Sequence, residues 1–90
     1  MSAVQEASQP EYHVASFVAQ AIPAQIQKVQ NSILSQAGSE IHAVSDEGKI
    51  VFTIEADSQN RIGKTIDDIK QDSAILTLAP VYHQFLTEQV

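Results

Sequence analysis

Four β-prone runs, two stretches of helical period and one glycine turn between the middle two runs predict an α+β fold. The order is strand, helix, strand, strand, helix, strand. That order is the ferredoxin-like split βαβ sandwich (βαββαβ): a four-stranded antiparallel sheet in the order 4-1-3-2 with two helices on one face. The chain has 90 residues, 43% of them hydrophobic and 18% charged, which suits one small globular domain with a single modest core.

Residues 1–10 are polar, end in Gln9-Pro10 and show no period, so a flexible N-terminal arm is expected there. The domain is placed at residues 11–84, with a short C-terminal tail at 85–90. His13 to Gln20, HVASFVAQ, reads as a central strand, and Ala21-Ile22-Pro23 then opens a helix with proline in its first turn. Ile22, Ile26, Val29, Ile33 and Ala37 form one stripe of that helix, and Gly38 is placed to end it in the left-handed conformation. Two β-prone runs follow, EIHAVS and KIVFTIEA, joined by Asp46-Glu47-Gly48 as a tight hairpin turn. Asp57 and Ser58 offer N-caps to a second helix marked by Ile62, Ile66 and Ile69. Ala74 to Tyr82 is the last strand. Pro80 within it lacks the N–H of a central ladder position, which fits an edge.

With both helices on one side, the other side of the sheet has no cover, and strand alternation predicts what it displays. Ile50, Phe52 and Ile54 are the bulky set of the third strand and face the helices, as do Ala15, Phe17 and Ala19 of the first. In the last strand Leu76, Leu78, Pro80 and Tyr82 form one set; Ile75, Thr77, Ala79, Val81 and His83 form the other. The expected open face is therefore Val14, Ser16, Val18, Val51, Thr53, Thr77, Ala79 and Val81, small apolar and hydroxyl groups in place of charge. Contiguous surface of that kind marks a docking site or an oligomer contact.

Other chemistries find little support. The chain has no cysteine, which removes disulfides, thiolate nucleophiles and thiolate metal sites. His13, His42 and His83 lie on separate strands without metal-ligand spacing, so no metal site is expected. No serine stands in a nucleophile elbow, and Gly38, Gly48 and Gly63 are too isolated for a phosphate-binding loop. Asp67 and Asp68, adjacent on a helix, diverge by about 100° and cannot act as a dyad. No catalytic residue and no cofactor are expected. Five Lys plus Arg against eleven Asp plus Glu give a net charge of -6, which argues against nucleic acid and toward a basic partner. The first thirteen residues carry no basic residue and no signal-like apolar run, and no segment has the length of a membrane span; a cytoplasmic location is expected.

The strand HVASFVAQA before a Pro-initiated helix, the hairpin EIHAVSDEGKIVFTIEAD and above all the terminal LAPVYHQ resemble the NapD family. Members of that family are cytoplasmic chaperones for the catalytic subunit of the periplasmic nitrate reductase. The resemblance runs from about Glu11 to Gln84, with Val81-Tyr82-His83-Gln84 as its most specific signal and Glu55-Ala56-Asp57 and Ser45-Asp46 as weaker ones. The chain departs from the pattern at Pro80, where a larger aliphatic residue is common, and at Phe85 after the motif. The resemblance implies a ferredoxin-like fold, no catalysis, and binding of the twin-arginine signal peptide of the nitrate reductase precursor. Such binding delays export until the molybdenum cofactor is inserted. The peptide would dock as a helix on the open face, with Tyr82 and His83 at its rim and Asp46, Glu47 or Glu55 available to the arginines. Two other readings compete with this one: a small metabolite-binding regulatory module, and a structural homo-oligomer that covers its open faces.

Overall fold

A computed structural model describes the backbone of residues 11–87 and the side chains of residues 12–81. The elements are β1 (Glu11–Ala21), a 3₁₀ turn (Pro23–Gln25), α1 (Ile26–Leu34), β2 (Ser39–Val44), β3 (Lys49–Ala56), α2 (Gln59–Ile69) and β4 (Ile75–Thr87). They make one antiparallel sheet in the order β2-β3-β1-β4, which is the 4-1-3-2 order expected. The expected N-terminal arm, residues 1–10, lies outside the described residues. The last strand is longer than its sequence suggested: it runs to Thr87, through the start of the segment assigned to a tail.

The core lies where alternation and helical period put it. Ala15, Phe17, Ala19 and Ala21 from β1 and Ile50, Phe52 and Ile54 from β3 are buried against Val29 and Ile33 of α1 and Ile62, Ile66 and Ile69 of α2. Phe17 and Phe52 are cross-strand partners whose rings stack at 5.6 Å and 25°.

The first helix is shorter than its stripe. Pro23 fixes the backbone of the entry turn, which is 3₁₀, so Ile22 stands before the helix and is exposed. Ala37 falls beyond Leu34 and is exposed too, because Ser39 Oγ takes the Ile33 and Gln36 carbonyls (2.6 and 2.8 Å) that a further turn would need. Gly38 then reverses the chain at φ +84°, and a Cβ there would run into the Glu55 carbonyl oxygen, so only glycine lets the turn between α1 and β2 approach β3 this closely. Ser58 caps α2 by accepting from Arg61 N at 3.2 Å. Gly48, at φ +100°, closes the β2–β3 turn.

Asp72 ties α1 to the segment before β4. Its carboxylate accepts from Ser32 Oγ at 2.6 Å, Lys28 Nζ at 3.0 Å and Ala74 N at 2.9 Å. These bonds favour the charged form, the Ser32 hydroxyl most, and lower its pKa from the usual 3.8 to about 2. A carboxyl whose folded pKa is depressed stabilises the fold above its unfolded pKa, and that contribution disappears as pH falls through the folded value. Denaturation midpoints should therefore decline between pH 3.8 and about 2 in the parent. Asp72→Asn should cost about 2 kcal/mol at neutral pH and flatten that part of the acid profile. A variant with an unchanged acid profile would show that Asp72 does not couple folding to protons.

Candidate functional site

The two faces of the sheet are built differently. In β3 the buried Ile50, Phe52 and Ile54 alternate with the half-buried Val51 and Thr53 and the exposed Lys49 and Glu55. In β1 the buried set alternates with Val14, Ser16, Val18 and Gln20, all half-buried. The helices pack on the first set, and the second makes the open face.

Cross-strand register arranges that face in rows. Ala43, Val51, Val18 and Ala79 stand opposite one another in sequence across β2, β3, β1 and β4. This row is apolar throughout. The next is Glu40, Thr53, Ser16 and Tyr82, and the one beyond it Glu55, Val14 and Gln84. At the opposite end stand Lys49, Gln20 and Thr77. The centre of the face is thus small and smooth, and its formal charges lie toward the ends of the strands or on edge strand β2.

Three register shifts explain where alternation failed. In β4 the pairing slips between Gln20 and Ala21, so Ile75 stands opposite the buried Ala21 and packs against the core, while Leu76 is left 60% exposed. This reverses the faces expected for those two residues, since one extra residue shifts the alternation. A second slip, between Ser16 and Phe17, leaves Val81 unpaired and 63% exposed. Beyond it Tyr82 stands opposite the open-face residue Ser16, and His83 opposite the helix-face residue Ala15. The side chains of Tyr82 and His83, expected at the rim of the face, lie outside the described residues. Thr77 and Ala79, between the two slips, keep their expected places opposite Gln20 and Val18.

The third slip, between Ile41 and Ala43 of β2, brings in a residue that sequence reasoning did not place on the face. His42 sits at this bulge and its Nε2 lies 2.8 Å from Thr53 Oγ1. His13, by contrast, is buried at the helix-face end of β1. The two therefore lie on opposite sides of the sheet, and no group of three His, Cys, Asp or Glu that could hold a metal occurs among the described residues.

Tyr12 was also missed. It shares the parity of Val14, is 39% exposed, and lines a shallow cleft of about 300 Å³ with Gly38, Glu55, Ala56, Asp57 and Arg61. Of the three carboxylates named for the rim, Glu55 is at this end of the sheet, whereas Asp46 and Glu47 belong to the β2–β3 turn at the other. Lys28, Arg61, Lys64 and Lys70 are on the helices or at their ends, so among the described residues of the sheet Lys49 is the one lysine or arginine. No helix of the described residues is long and apolar enough to cross a membrane.

The family model described as NapD protein matches residues 12–87. Among solved structures, the solution structure of the E. coli Tat proofreading chaperone protein NapD superposes with a TM-score of 0.74 at 24% identity, covering 81% of this chain and 78% of that one. The de novo designed protein Foldit4 superposes at 0.50 with 15% identity, covering 88% of this chain and 99% of that one. No curated protein sequence matches the chain.

Proposed function

The chain belongs to the NapD family, and from that membership we propose that it is a cytoplasmic chaperone, not an enzyme, that binds the twin-arginine signal peptide of an exported precursor. The E. coli protein of the same fold is a Tat proofreading chaperone. The precursor in our reading is the catalytic subunit of the periplasmic nitrate reductase, retained in the cytoplasm until its molybdenum cofactor is in place.

The observation that carries the reading is the face of the sheet that no helix of the described residues covers. A twin-arginine signal peptide joins a basic segment to an apolar one. An apolar helix laid along β1 and β3 would meet Val14, Ser16, Val18, Val51 and Thr53 along its middle, with the charged Lys49 and Glu55 only at its two ends. From Lys49 to Glu55 the strand spans about 20 Å, the length of roughly four helical turns. The chain's net charge of -6 favours the basic end of such a ligand. Thr77, Ala79 and Val81 extend the surface onto edge strand β4.

Calorimetric titration with a synthetic twin-arginine signal peptide tests this. Saturable binding is expected, weakened by about tenfold when Lys-Lys replaces Arg-Arg, because ammonium groups cannot reproduce the bidentate and stacked contacts of guanidinium. No binding of the Arg-Arg peptide would refute the function proposed.

A further inference from the structure

Resting on that docking reading, we infer that the cleft formed by Tyr12, Glu55 and Asp57 takes a guanidinium of the peptide, and that the bound helix therefore lies in one direction. Its N-terminal, basic end is at the start of β1, and its apolar segment runs toward Lys49, Gln20 and Thr77.

The two ends of the open face differ in the chemistry they offer. At the β1 start, Glu55 stands opposite Val14, and Tyr12 is the next residue of that face along β1. Both line the same shallow cleft with Asp57 and Arg61. Arg61 Nε lies 3.4 Å from Asp57 Oδ1, so among the described residues that line the cleft the one cation is engaged by one of the two carboxylates. Among the described residues Glu55 makes no ion pair. A guanidinium entering here finds a free carboxylate beside an exposed phenol ring, and it pairs with the first and stacks on the second. Glu40, on β2 in the neighbouring row, adds a further negative charge on this side of the apolar row.

The opposite end offers the reverse. Lys49 projects from the same face of β3 that carries Glu55, six residues away. It would repel an arginine pair and suit the C-terminal end of a helix, where the backbone carbonyls leave partial negative charge. The Asp46 and Glu47 carboxylates lie in the turn beyond the end of the sheet, and Glu47 holds its turn against β1 through its carbonyl, which accepts from Gln20 Nε2 at 2.7 Å. Reversing the helix would place its basic end over Lys49 and leave Glu55 facing apolar side chains, two unfavourable contacts in exchange for two favourable ones.

A paramagnetic label on the N-terminus of the synthetic Arg-Arg peptide reads the direction. The inference expects broadened amide signals for Val14, Glu55 and Asp57, with those of Gln20, Lys49 and Thr77 left sharp. Broadening at the Lys49 end, or equally at both, would overturn it. In parallel, Glu55→Gln should lower affinity for the Arg-Arg peptide by about tenfold and leave that for a Gln-Gln peptide unchanged. Equal loss for both peptides would show that Glu55 does not meet an arginine. Binding that survives with the wrong polarity refutes the direction alone, whereas failure of the parent to bind refutes the docking as well.

Discussion

Ala79→Arg is expected to weaken signal-peptide binding by roughly 100-fold or more, about 3 kcal/mol, while leaving the protein folded. Ala79 is exposed on edge strand β4, opposite Val18, in the apolar row that also holds Ala43 and Val51. An arginine there disturbs no core contact, because the buried partners of this strand belong to the other parity. Its long cationic side chain would sweep over the part of the face where we propose that the peptide's apolar helix docks, and its charge would oppose that of the peptide's basic segment. Ser16→Arg should act in the same direction from the centre of the sheet, opposite Thr53. Both effects are read by titrating the peptide into variants whose folding is checked by the dispersion of their amide spectra. A folded variant that keeps the parent's affinity would contradict the proposed surface.

Phe52→Ala is expected to have the largest effect on stability. Phe52 is fully buried, the largest such side chain in the core, and stacks on Phe17 at 5.6 Å. Replacing a buried phenylalanine by alanine costs about 3–5 kcal/mol, from lost transfer energy and an unfilled cavity. Domains of this size hold roughly 5–15 kcal/mol in total, and small ones lie at the lower end. The variant should therefore be close to unfolding. With a urea slope of about 1–1.5 kcal/mol/M, the midpoint should fall by roughly 2–5 M. Phe52→Leu, which keeps most of the volume, should lose much less. A fall below about 1 M in the alanine variant would mean that the two aromatic rings do not anchor the contact between β1 and β3.

The parts of this molecule that repeat regularly were open to sequence reading. Ile50, Phe52 and Ile54 differ so much in bulk from Val51 and Thr53 that strand parity could be assigned without a structure, and the register confirms it. The isoleucines of α2 did the same for its buried face. What alternation could not reveal were the bulges. Nothing about Leu76, Val81 or His42 as residue types announces an unpaired position, because a bulge arises from how two distant strands keep step and not from local preference. That is why alternation exchanges Ile75 and Leu76 between the faces and leaves His42 off the expected face. Tyr12 is a different case. Its parity with Val14 is readable, but the sequence pattern starts β1 at His13, two residues after its observed start at Glu11.

The open face has a further consequence for assembly. The two edges of the sheet, β2 and β4, both carry bulges, and β4 also carries Pro80, so neither presents an even row of unpaired backbone groups to another chain. Recognition by addition of a strand is thus disfavoured at both edges. The flat face between them, with its small side chains, suits a helix better.

The most direct test of the account is to follow the parent protein's backbone amide signals as the unlabelled Arg-Arg signal peptide is added. Helix docking on the open face predicts that the large shifts fall on Val14, Ser16, Val18, Val51, Thr53 and Ala79, with little change at Lys28, Ser32, Lys64 and Asp68 in the helix layer. Shifts concentrated on α1 and α2, with the open face unmoved, would contradict it.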